Sequence, residues 1–310
     1  MRYVLSLKLT GFAAVMTAVL SVLVVGCGGD GTTQPPPVNE FAPPTGLTVV
    51  NGSGEVFLSW QASSDAADSD FKGYNVYRHT STMVGATDAQ LLVYKLNSTV
   101  ITSTDYHDGT AVNGYKYYYA VRAMRGSSEL STPTSEYDTA PRWEGTADVE
   151  LGEFKNTTKP SGLNCAAARA YAMESSPPND NHLLIDCYLG TMGNNDEITY
   201  HLALKSPDRV LNGSSAIWST RRAELVLLGT EPTDWETANA PATGWANQVD
   251  LGDNPVGKVI AVRTPGGTGV QHYAKVMITQ VVNGTEGQRV ITATVAYQGI
   301  ADYPRFVAGR

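Results

Sequence analysis

Between residues 43 and 141, apolar and polar positions alternate in short runs. Val56, Leu58 and Trp60 fall on one side of a strand, with Phe57 and Ser59 between them and the turn sequence Asn51-Gly52-Ser53-Gly54 ahead of them. Runs 46–50 and 74–78 read as further strands. In run 115–123, Tyr117, Tyr119, Val121 and Ala123 share a face. No long helical period interrupts the series, and repeated turns separate the runs, which predicts an antiparallel sandwich.

Past Pro141 that pattern stops. Its best-organised part is the end: β-rich runs 256–263, 270–282 and 289–297, joined by Gly-rich turns at 265–269 and 283–287, predict an antiparallel meander buried in part on both sides. Upstream, 183–189 and 198–204 read as strands, 223–228 as strand or helix, and 166–173 as a short helix behind Asn164. Residues 230–250, carrying Trp235 and Trp245, read as a long loop. Long loops in compact domains often carry function, so this is the main candidate site. The whole chain is expected to be all-β.

The amino terminus has a different pattern. Arg2 and Lys8 precede an apolar run, 9–26, that is near the minimum length for a membrane span and follows the plan of a secretory signal. It ends in Val24-Val25-Gly26-Cys27, which resembles the bacterial lipobox. The resemblance implies a signal peptide at 1–26, a lipidated, palmitate-bearing Cys27, and a Gly- and Pro-rich tether at 27–42. An ordinary signal peptide or an uncleaved anchor is the alternative. With no Asp directly after Cys27, the expected address is the outer membrane of a bacterial envelope, with the membrane as partner through the lipid.

Charge and cysteines narrow the picture. The formal charge is −8, and it becomes −10 once Arg2 and Lys8 are removed. An acidic body without a basic cluster is poorly suited to phosphate backbones, so nucleic acid is not an expected partner. Assigning Cys27 to lipid leaves Cys165 and Cys187, and export makes their pairing the expectation, with two buried thiols as the alternative. Closing that loop would stabilise by about 3 kcal/mol.

Residues 43–141 also resemble a fibronectin type III domain. The resemblance rests on Pro43-Pro44 with Gly46-Leu47, Leu58-Ser59-Trp60, Gly73-Tyr74 with Val76-Tyr77-Arg78, and Tyr117, Tyr119, Val121 and Ala123 in order. It implies a core role for Trp60 and, for Tyr117, a hydroxyl that bonds back to upstream main chain. The final fifty or so residues of the second domain, 142–310, resemble HmuY-type surface lipoproteins, some of which capture haem. That makes His272 and Tyr273, with His182 and His201, candidate ligand residues, although no paired-histidine motif is present.

Motifs for catalysis are absent: no nucleophile elbow, zinc helix or phosphate loop occurs. Asp65, Asp68 and Asp70 could be read as a calcium loop, and Glu231, Asp234 and Glu236 as a carboxylate pair, but acidic loops are common and neither spacing is specific. The expected protein is a non-enzymatic cell-surface lipoprotein with no required cofactor, binding or adhering through a domain held on a fibronectin-like spacer. Haem or metal capture is one alternative. Glycan binding by an accessory module, with Trp235 and Trp245 stacking on sugars, is another.

Overall fold

A computed structural model describes residues 41–306, except 177, 179, 193–195, 197–199, 211–214, 221, 266–268 and 286. Cys27, the signal and most of the tether lie outside the described residues. The fold is nearly all β, in antiparallel sheets.

Strands β1 (Thr45–Asn51), β2 (Val56–Gln61) and β4 (Asp105–Asp108) form one sheet, in the order β1-β2-β4. Facing it are β3 (Phe71–His79) and β5 (Tyr117–Arg125), with β6 (Glu129–Leu130) and β7 (Tyr137–Thr139) both pairing β5. Val56, Leu58 and Trp60 are buried while Phe57 and Ser59 are exposed, as the alternation requires. They pack with Tyr74, Val76, Tyr117, Tyr119, Val121 and Ala123 into one core. This three-plus-four arrangement is a fibronectin-like β-sandwich. The Tyr117 hydroxyl meets the upstream Val112 N–H at 3.3 Å. Within this sandwich one helix was not expected: α1 (Asp88–Tyr94), opened by a capping box in which the Thr87 hydroxyl accepts from Gln90 N and Gln90 Oε1 accepts from Thr87 N.

A larger sandwich follows. Strands β8 (Trp143–Glu144), β9 (Val149–Gly152), β14 (Glu224–Gly229), β16 (Val259–Thr264), β17 (His272–Val282) and β18 (Val290–Gln298) make its six-stranded sheet. Its five-stranded partner runs β11 (Arg169–Tyr171), β10 (Gly162–Asn164), β12 (Cys187–Thr191), β13 (Leu202–Lys205), β15 (Gln248–Gly252). The predicted meander is β16-β17-β18. Ala274, Val276 and Ile278 of β17 face the core between the sheets. The alternate residues Tyr273 and Lys275 face outward yet are also buried, because residues 230–247 and 299–306 cover that face.

Three expectations are corrected. Residues 166–173 form no helix: Asn164 Oδ1 accepts from Ala167 N and the Cys165 carbonyl from Ala168 N, turning the chain into the β10–β11 hairpin. The strand expected at 183–189 begins only at Cys187, because the Asn181 carbonyl accepts from Leu184 N and closes a turn that leaves Leu183 and Leu184 exposed. No disulfide joins Cys165 to Cys187. Cys187 pairs across the ladder with Leu163, whereas Cys165 lies in the turn beyond β10, so the two do not face each other across it. Both thiols are core residues instead. We expect both to be alkylated in denaturant without reductant and shielded in the native protein, read as label mass. A native protein that takes two labels only after reduction would contradict this. Among the described residues no helix is long and apolar enough to cross a membrane.

Candidate functional site

Where 3₁₀ residues Pro207–Arg209, the start of β14 and the end of the long loop converge, they leave a cleft of about 260 Å³. It is lined by Asp208, Arg222, Ala223, Glu224, Trp245, Ala246 and Asn247. The backbone fixes these walls. Leu225 and Ala246 exchange both main-chain hydrogen bonds, at 2.7 and 2.9 Å, which places Trp245 and Asn247 on either side of the bridge. Ser206, fully buried, donates its N–H to the Asn247 carbonyl at 2.8 Å and accepts from Ala223 N at 2.8 Å through its hydroxyl.

Trp245 is half-buried. Its Nε1 donates to the Pro241 carbonyl at 2.9 Å, and the Arg263 guanidinium lies 4.4 Å from its ring centroid. Arg263 is in turn held by Glu224 at 2.6 Å. Opposite, Arg222 Nε donates to Asp208 Oδ2 at 3.2 Å. The other carboxylate oxygen, Asp208 Oδ1, is buried and has no hydrogen-bond partner among the described residues. Buried acceptors are nearly always satisfied, and an orphan costs about 1–3 kcal/mol. Each lining carboxylate is paired with a guanidinium, Asp208 with Arg222 in the wall and Glu224 with Arg263 behind it, so the cleft suits an uncharged ligand rich in O–H groups beside an aromatic face.

The expected site residues do not act together. Trp235, expected as an exposed stacking residue, is only 6% exposed and packs against Val259 and Ala296. It sits in α2 (Asp234–Thr237), where the Asp234 carboxylate accepts from Glu231 N and Glu236 reaches Arg142, so Asp234 and Glu236 are engaged within the fold. Tyr273 is buried beside Trp245 and donates its hydroxyl to Gln271 Oε1 at 3.1 Å. His272 stacks on Tyr297, and its buried Nδ1 has no partner among the described residues. His182 pairs with Asp180, and exposed His201 stands between Asp250 and Asp253. Among the described residues no contact joins any two of these histidines, and no group of three or more His, Cys, Asp or Glu converges as a metal site. Asp65 instead accepts from Ala42 N at 2.8 Å.

Asp208 and the arginines were missed because nothing local distinguishes them; Trp245 alone carried a signal. A second recess of about 320 Å³ lies in the fibronectin-like half, over Tyr77, Met83, Leu91 and Ala120. Its polar rim is internally engaged: Arg122 bonds Asp88, and Glu136 accepts from Met83 N.

The fold and the cleft define a two-sandwich β protein with a fibronectin-like first half. No known family profile matches the chain. Part of it is similar to amylopullulanases: it is 30% identical over 132 residues to that of Thermoanaerobacterium saccharolyticum, covering 41% of this chain and 9% of the relative. The match to the amylopullulanase of Thermoanaerobacterium thermosulfurigenes is also 30% over 132 residues, covering 41% and 6%. The chain thus spans less than a tenth of the length of the curated relatives it matches. Among solved structures, a Fn3-like protein from Clostridium thermocellum aligns at 31% identity over 32% of this chain and 91% of its own, with a TM-score of 0.25.

Proposed function

We propose that the chain is a non-catalytic, glycan-binding lipoprotein, held on a bacterial envelope by lipid at Cys27. The observation that carries the reading is the cleft's make-up: the half-buried Trp245 ring stands in one wall with the ion-paired Asp208 and Arg222, Glu224 and Asn247 around it. A sugar ring offers an apolar C–H face to the indole and hydroxyl donors to the carboxylate. The amylopullulanase relatives, enzymes named for glycan substrates, support a neutral glucan as the ligand class. The lipobox-like 24–27 and the tether after it support the anchor.

Affinity electrophoresis of the Cys27→Ser chain through gels containing pullulan or amylose tests the reading. The protein is expected to be retarded, Trp245→Ala to lose the retardation, and Asp208→Asn to weaken it at least about tenfold, the cost of one good polar contact. Equal retardation of Trp245→Ala and the parent chain would sink the assignment to this cleft.

A further inference from the structure

Lys275 is a buried amine that the cleft does not use. It stands on the outward face of β17, and none of its surface reaches solvent. Its Nζ donates to the Trp235 carbonyl at 2.6 Å and lies 5.7 and 5.3 Å from the ring centroids of Trp235 and Phe306. Among the described residues no carboxylate comes within ion-pair distance of it. The charged groups that face it are Arg142, just before β8, Glu144 on β8, and Asp234 and Glu236 on α2. Arg142 already engages Glu144 and Glu236. A charged amine buried without its own counter-ion is costly.

The cover over Lys275 is made of two short segments tied to each other. Phe306 N donates to Asn239 Oδ1 at 2.7 Å, and Ala240 N to the Pro304 carbonyl at 3.1 Å. Residues 234–240 and 303–306 therefore form one strap across the sheet.

We infer that Lys275 makes this strap a poised lid, which seats firmly over the neutral amine and loosens when the amine is charged. Burial, reinforced by the Arg142 charge, pushes the Lys275 amine down to about 7 from its ordinary 10.5. Between those values the lifted form holds a proton that the seated form does not. Seating therefore strengthens as pH rises from 7 toward 10.5 and levels off below 7. The inference concerns the strap alone and stands or falls without the glycan reading.

Hydrogen exchange of peptides covering 234–240 and 303–306, on the whole chain and corrected for intrinsic exchange, tests it. From pH 7 to pH 9 the opened population is expected to fall by as much as roughly 50-fold, following linkage between the two values. In Lys275→Met that slope should vanish, and the strap should be at least about tenfold better protected at pH 7. A fall of less than fivefold in the parent chain, which needs no variant to fold, overturns the inference, as does an equal slope in Lys275→Met.

Discussion

Replacing Arg142 with alanine is expected to lower the unfolding free energy by about 3–5 kcal/mol, from two buried carbonyls that lose their donor at about 1–3 kcal/mol each and from lost packing. Arg142 follows Pro141 directly and is 1% exposed. Its Nη1 donates to the Asn51 carbonyl in the fibronectin-like half and, at 2.7 Å, to the Phe306 carbonyl in the strap. Its Nη2 pairs with Glu144 at 2.6 Å and with Glu236 at 3.4 Å. The loss comes chiefly from the two orphaned carbonyls, since Glu236 is largely exposed and rehydrates. Urea unfolding at pH 7 measures it. Arg142→Met, which keeps most of the volume, should lose less than alanine, because packing is retained while donors are not. A fully stable alanine variant would show that the two sandwiches are not joined through this residue.

Asp108→Ala should cost a similar amount, about 3–5 kcal/mol, by the same mechanism in a different core. The Asp108 carboxylate, at the end of β4, accepts from Arg78 at 2.7 Å, from the Tyr119 hydroxyl at 2.7 Å, and from Thr110 N and Oγ1 at 3.0 and 2.7 Å. Burial by itself would raise its pKa, but the Tyr119 and Thr110 hydrogen bonds and the Arg78 charge outweigh burial and hold the carboxyl below its ordinary 3.8. The folded-state value is depressed. Its contribution is therefore complete above the unfolded value of 3.8 and is lost as pH falls through the depressed folded value. Acid titration of stability should show a loss below pH 4 in the parent chain that is smaller in the alanine variant. Identical acid profiles would assign the loss to other carboxylates.

How far the sequence spoke depends on the distance over which each feature is decided. Val56, Leu58 and Trp60, like Tyr117 through Ala123, are sorted by the pleat itself, so a period of two exposed the inner face without further information. The β16-β17-β18 meander was legible for the same reason, helped by its turns. Helix α1 left a local signal, Thr87 and Gln90 at capping-box spacing, but seven residues are too few for a helical period to show. Hairpin β10–β11 was misread because alanines at 166–168 favour a helix while Asn164 and a positive φ at Ala168 turn the chain back.

The site was less legible still. Trp235 and Trp245 lie ten residues apart in one polar-looking loop, yet one is buried over β16 and β18 and the other walls the cleft. Which is which depends on the outward face of a sheet formed by distant strands. Asp208 is brought beside Trp245 by the Leu225–Ala246 bridge and the Ser206 hydrogen bonds, long-range pairings that no local pattern encodes. The closing strands β16, β17 and β18 form as expected, but among the described residues His182, His201 and His272 make no contact with one another.

The most direct test of glycan binding is isothermal titration of the Cys27→Ser chain with soluble malto-oligosaccharides, beside Trp245→Ala. The account predicts saturable binding by the parent chain that is at least about tenfold weaker in the variant, a loss of 1.4 kcal/mol or more, with both unfolding alike. Absence of binding by the parent chain, or full binding by Trp245→Ala, would contradict it.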